Sequence, residues 1–312
     1  MLLFGKEGRR DFLVNVNSIL RRSIKETNMY YRRLPPFDYL APATIKDACA
    51  LLEKHPGETR VMAGGTIVLH RMKERVATRK YLMSLKSIKD LNGITFNKTA
   101  GLRIGAMASL QAIADSAVVK EKWEPLSAVC AKLGTPQIRS MGTLGGNLAS
   151  RFATAETVPA LIALGAEAEL VSAHGKKSVP VESLYKELKE GELLTEIRIP
   201  VPAAGTRGGC QKFAMREKFD YATVSAVVVV TLVKGVCQEV KIGLGGVTLP
   251  TMRAKKAEEI VRGKMITDEL IEKAGQTASE EGQTGADLFF SAEYKKELLK
   301  VMVKKALKQA LA

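Results

Sequence analysis

A chain of 312 residues can bury a sizeable core and hold more than one domain. Lysine and arginine outnumber aspartate and glutamate 48 to 33, a formal charge of +15, while aromatic residues make up only 5% of the chain. Nucleic-acid modules interleave basic with aromatic residues, which argues against a nucleic-acid partner, and no apolar run approaches the roughly 18 residues of a membrane span.

In chain order, residues 1–33 form an N-terminal extension with an amphipathic helical pattern over 12–24. It lacks the long apolar core and cleavage site of a secretory signal. A partner-binding arm, a disordered tail and a translation-start artefact stay open for it. A helix over 43–55 follows, capped by Thr44, with Ile45, Ala48, Leu51 and Leu52 as its apolar face and Pro56-Gly57 as its stop. A strand over 60–62 runs into a first glycine turn, Gly64-Gly65-Thr66, and an apolar run reaches Arg71-Met72-Lys73. Strands are predicted at 81–85, 94–97 and 102–105, with a turn at 88–91. Ser109 caps a helix over 110–114, and another covers 125–133.

Next comes Gly142-Thr143-Leu144-Gly145-Gly146-Asn147, too glycine-rich for a helix or strand interior and too apolar on both sides for a surface linker. It reads as a second turn. A buried helix over 157–164, strands at 167–172 and 196–200, and a linker at 201–205 complete this part. From Cys210 the pattern predicts three antiparallel strands (211–217, 225–234, 240–247), then helices over 268–280 and 292–311. The last helix lines up Leu299, Met302, Ala306 and Ala310 on one face, with its lysines solvated or forming a docking surface for other subunits. Cys49, Cys130, Cys210 and Cys237 are scattered and read as small buried hydrophobes in a reducing, cytoplasmic setting. They offer no ligand set for a metal or an iron–sulfur cluster.

The chemistry concentrates in the two glycine stretches. Paired glycines allow positive φ and close approach of a ligand to the backbone, and successive amides can converge on an anion. Plain tight turns between buried elements are the alternative. Two such turns, each beside a threonine, suit a ligand with two phosphates or a long polar chain. Neither G-x-x-x-x-G-K-[ST] nor a helix-opening G-x-G-x-x-G occurs, so P-loop and Rossmann readings lack support.

AGGT (63–66), GTPQIRSMGTLGGNL (134–148), FAMREKFDYATVSAVV (213–228) and GLGGVTLPTMRAKKAEEIVRGK (243–264), in this order, resemble the FAD-binding medium subunit of the molybdenum hydroxylases, the xanthine and carbon monoxide dehydrogenase group. The resemblance implies an α+β protein. An FAD-binding domain of the vanillyl-alcohol oxidase type would span 34–203 in two α/β subdomains, 34–85 and 86–203. A C-terminal domain over 207–312 would carry a three-stranded antiparallel sheet with helices.

It further implies that FAD lies against Met62, Ala63, Gly64, Gly65, Thr66, Ile67, Val68 and Leu69 and against Thr143, Leu144, Gly145, Gly146 and Asn147, with the backbone amides of both turns on the diphosphate. Leu133, Leu194 and Lys212 fall at positions that face the flavin or adenine side in relatives. For Lys212, charge stabilisation at the flavin and a plain surface lysine both stand. Glu156 would accept a ribityl hydroxyl hydrogen bond or simply start a helix toward solvent. Tyr221 would cover the ring, with Arg216 and Asp220 fixing its loop; a plain hairpin with a surface ion pair is the alternative. Gly243–Gly246 reads as a strand-end bulge beside the flavin or the domain interface. Ile67 and Glu156 replace the family's usual aspartates, and Ala153 its proline. The cysteine-bearing cluster loop of some related subunits is absent between Asn147 and Pro159.

The implied function is electron transfer from a [2Fe-2S] small subunit, itself fed by a molybdenum cofactor-binding large subunit, through FAD to NAD, a quinone or another external acceptor. No catalytic acid, base or nucleophile and no metal ligand is assigned to this chain. A self-contained FAD-dependent oxidoreductase with its own substrate pocket, and a scaffold that has lost FAD, are the other readings.

Overall fold

The computed structural model describes residues 33–76, 78–216, 219–247 and 252–312. The helix read at 12–24 and the end of the strand read to 217 lie outside them. In the first unit, β1 (Asp38–Leu40) leads to α1 (Ile45–Lys54), where Thr44 Oγ1 accepts from the Asp47 amide at 3.1 Å. Then come β2 (Thr59–Met62), α2 (Val68–Lys73) and β3 (Tyr81–Ser84). Both β1 and β2 run parallel to β3, in the order β1-β3-β2. This small sheet closes on Ala48, Met83, Leu85, Ile88 and Leu91.

The second unit opens with β4 (Ile94–Asn97) and β5 (Gly101–Gly105). A helical stretch follows: α3 (Leu110–Asp115), α4 (Ala117–Lys122), α5 (Glu124–Lys132), α6 (Pro136–Met141), α7 (Leu144–Ala149) and α8 (Thr157–Ala163). It ends in β6 (Glu167–Ser172), β7 (Gly175–Pro180), α9 (Leu184–Glu187) and β8 (Leu193–Ile199). These strands form one antiparallel sheet, β4-β5-β8-β6-β7. Every residue of α8 is buried, as its unbroken apolar run requires, and the Trp123 indole donates to Pro200 O at 3.0 Å beneath the sheet. Edge strand β7 reads GKKSVP and buries only Val179, so no alternation announced it.

The second glycine stretch is not the turn its composition suggests. Residues 144–149 are helix, not turn. Thr143 caps them through its hydroxyl, which accepts from Gly146 N at 3.0 Å, and the glycines serve close packing: a Cβ on Gly145 would lie 2.6 Å from Ala106 Cβ. Helix propensity disfavours Gly-Gly, but tight contact with β5's exit overrides it.

The third unit consists of β9 (Thr206–Phe213), β10 (Val224–Val233), β11 (Val236–Gly245), β12 (Met252–Arg253), α10 (Lys255–Val261), α11 (Asp268–Glu281) and α12 (Ala292–Leu311). Its sheet has four strands, β12-β11-β10-β9, rather than three. Two-residue β12 is too short for periodicity to reveal; it exists because buried Glu258 ties Arg253 (2.7 Å) to the Ile242 amide (2.9 Å). Leu299, Met302, Ala306 and Ala310 of α12 are buried against this sheet. The GLGG stretch sits at the contact between units. A Cβ on Gly243 would overlap the Pro159 carbonyl of α8, and Gly246 N donates to Ala153 O at 3.0 Å. All four cysteines are free and buried. Among the described residues no helix is long and apolar enough to cross a membrane, and no group of three His, Cys, Asp or Glu side chains is placed to hold a metal.

Candidate functional site

Where the first two units meet, and under the β9–β10 loop of the third, lies a cleft of about 860 Å³. That volume suits a large cofactor. Its floor is the turn between β2 and α2. Gly65 takes φ +77°, which glycine reaches without strain, and a Cβ on Gly64 would overlap the Met141 carbonyl oxygen just ahead of α7. The two glycine stretches therefore touch: Gly64 abuts Met141-Gly142, and a Cβ on Gly146 would lie 3.4 Å from Ala63 Cβ. Both border the same cleft.

Their amides differ. Among the described residues, those of Gly64, Gly65, Thr66 and Ile67 donate to no protein acceptor. Those of Leu144, Gly145 and Asn147 bond to Ala108 O, Ala106 O and Thr143 O at 3.0, 2.9 and 2.9 Å, and Gly146 N bonds to the Thr143 hydroxyl. Of this second stretch only the Thr143 amide lacks a protein partner among the described residues. The expectation that amides of both turns grip an anion jointly is thus corrected: α7's packing occupies most of the second set. What α7 offers instead is Asn147, which lines the cleft with its Oδ1 fixed by Thr157 Oγ1 at 2.6 Å.

Ala63, Gly64, Gly65, Thr66, Ile67, Val68, Leu133, Thr143, Gly145, Gly146, Asn147, Glu156 and Leu194 line the cleft. Met62, Leu69, Leu144 and Lys212 do not. Met62 and Leu69 support Gly65 from behind, and Leu144 is fully buried in the core. Lys212 is neither a surface lysine nor a cleft residue. Only 14% exposed, it holds Glu156 at 2.9 Å, so Glu156 does not start α8 toward solvent either. Burial pushes the Glu156 carboxyl above its usual range, with the Lys212 ammonium pulling the other way. Phe219, Asp220 and Tyr221 form one rim; Asp220 pairs with Arg216 at 3.3 Å, and Tyr221 is 69% exposed.

Sequence reasoning missed the arginines. Arg60 on β2, Arg71 on α2 and Arg79 line the cleft. The Arg60 Nε is buried without a partner among the described residues, and burial together with repulsion from Arg79 and Arg71 holds its pKa below the usual range. An anion beside it would relieve both effects. No spacing could reveal this cluster, because β2, α2 and the segment after it converge only in the fold. With orphan amides, an orphan guanidinium nitrogen and enough room, the residues fit a dinucleotide diphosphate.

The sequence profile described as "FAD binding domain in molybdopterin dehydrogenase" matches residues 35–202, and "CO dehydrogenase flavoprotein C-terminal domain" matches 210–310. The carbon monoxide dehydrogenase medium chain of Afipia carboxidovorans is 36% identical over 282 residues, 88% of this chain and 97% of that one. The xanthine dehydrogenase FAD-binding subunit of Escherichia coli O157:H7 is 24% identical over 280 residues, 88% and 96% of the two chains. In three dimensions the chain superposes on carbon monoxide dehydrogenase from Hydrogenophaga pseudoflava with a TM-score of 0.87 at 30% identity, covering 89% of this chain and 98% of that one.

Proposed function

The chain belongs to the FAD-binding medium-subunit family of the molybdenum hydroxylases, and from that membership we propose that it is the electron-transfer subunit through which such a complex passes electrons to an external acceptor. The partners in this reading are a [2Fe-2S] small subunit and a molybdenum cofactor-binding large subunit. FAD, when bound, supplies the chemistry that amino-acid side chains lack: it stores two electrons and releases them singly or together. The chain's own residues bind and orient it.

The observation that carries this reading is the β2–α2 turn, whose free amides and neighbouring Arg60 face one cleft closed from behind by Gly64 against Met141. Backbone amides hold an anion without the desolvation cost of a charged side chain, and Arg60, Arg71 and Arg79 add charge at that end. Thr66 and Asn147 offer polar groups to the rest of the cofactor, and Leu133 and Leu194 supply apolar walls. Ile67 gives its amide rather than a side-chain contact. The positions 62–69 and 143–147 act in this reading as two sides of one site, with Met62, Leu69 and Leu144 as its support. The proposed domains, 34–203 for FAD and 207–312 at the C-terminus, meet at Gly243 and Pro159.

The test is to purify the full-length chain, add FAD and record the absorption spectrum after gel filtration. Retained yellow chromophore at one per chain is expected; none would remove the reading. Co-expression with the small and large subunits should then give a three-chain complex in which the large subunit's substrate bleaches the flavin. A self-contained oxidoreductase would bleach without them.

A further inference from the structure

The Lys212 ammonium meets four oxygens: Glu156 Oε1 and Oε2 at 3.0 and 2.9 Å, Lys132 O at 3.1 Å and Asp220 O at 2.9 Å. The Glu156 carboxylate in turn lies beside the Ala222 amide, which favours its charged form. Tyr221 stands between these two contacts. Its preceding peptide is held by the lysine through Asp220 O, and its following one presents the Ala222 amide to the glutamate. The Tyr221 amide itself donates to Asp220 Oδ1 at 3.0 Å. Its side chain, by contrast, is open to the cleft, and among the described residues its ring packs on no other ring.

An ordinary clamp between units would not need this chemistry. A buried ion pair holds two surfaces together no better than a well-packed apolar pair of the same volume. What Glu156 and Lys212 supply, and an apolar pair does not, is one acceptor and one donor for the two peptide groups flanking Tyr221. We infer that the Glu156–Lys212 pair is a positioning device that acts through the backbone at Asp220 and Ala222 to aim the Tyr221 ring into the cleft. The inference rests on the FAD reading for what the ring meets there, but not for the backbone restraint.

The experiment uses the full-length chain in five forms: wild type, the E156M/K212M double variant, Y221A, the triple variant and K212R. The double variant leaves no buried charge unpaired and so keeps the fold. K212R serves as the conservative rescue. Hydrogen exchange without FAD is expected to show amides of residues 220–224 opening at least tenfold faster in the double variant, with α11 and α12 unchanged and K212R close to wild type. With FAD, the emission of bound flavin, quenched by a stacked tyrosine, should rise toward that of Y221A, and the same pair of substitutions should add less than twofold in the Y221A background. Unchanged protection at 220–224, or protection lost evenly over the whole third unit, overturns the inference. So does an emission change of equal size with and without Tyr221. A wild-type chain that takes up no FAD defeats the functional reading instead, and the exchange data still decide the backbone restraint.

Discussion

Two Gly-Gly pairs border one cleft and do different work. At Gly64-Gly65 the chain leaves a strand, bends through positive φ at Gly65 and keeps its amides free of acceptors among the described residues, while Gly64 lets the backbone lie directly on Met141. At Gly145-Gly146 the chain is a capped helix whose amides are bonded, and the missing side chain of Gly145 allows contact with Ala106. The first pair leaves unbonded donors at the cleft and the second makes a wall. The same dipeptide therefore carries little meaning until the partners of its N–H groups are known.

Substitutions sharpen this contrast. Gly64→Ala has the largest expected effect, because the new methyl meets a backbone carbonyl rather than a flexible side chain. It should cost about 3 kcal/mol or more of stability and weaken FAD binding at least about tenfold, read by thermal unfolding and flavin titration. Gly145→Ala meets Ala106 at 2.6 Å and should cost about 2 kcal/mol. Its FAD affinity should fall only as far as the wall shifts; a loss as large as that of Gly64→Ala would erase the proposed distinction.

Arg60→Met tests the ligand side without touching a glycine. Removing a guanidinium with a buried, unpaired Nε should leave the FAD-free chain as stable or slightly more so. FAD affinity should drop about tenfold, or about 1.4 kcal/mol, with a shallower salt dependence. Equal affinity in the variant would show that the arginine cluster does not face the anion. Thr143→Ala removes the α7 cap and should cost about 1 kcal/mol in chemical denaturation. Smallest of all is Gly146→Ala: crowding of the Thr143 hydroxyl at 2.8 Å opposes the gain of about 1 kcal/mol in helix propensity, so a net change near zero is expected.

Much of the fold was legible because periodicity and caps are local. Thr44 and Ser109 cap where their sequence positions indicate, β4 and β6 fall on the predicted residues, and α12 buries the stripe expected of it. Elements without a buried stripe escaped: β7 exposes most of its side chains, α6 buries none, and β12 has two residues. At the site, the resemblance and the glycines pointed to two stretches that border one cleft, but not to how the amides of each are used. Lys212 carried two readings in sequence, and the structure shows a third, a strut between Glu156, Lys132 and Asp220.

By itself the sequence determined the order of the motifs, the apolar faces and the buried, unpaired state of the cysteines, since each depends on residues within a few positions of one another or on residue type alone. Only the tertiary structure decided which amides remain free, which arginines converge and which residue Lys212 holds. Those outcomes depend on atoms brought within about 3 Å from segments far apart in the chain, and hydrogen bonding is a property of that approach rather than of any one segment.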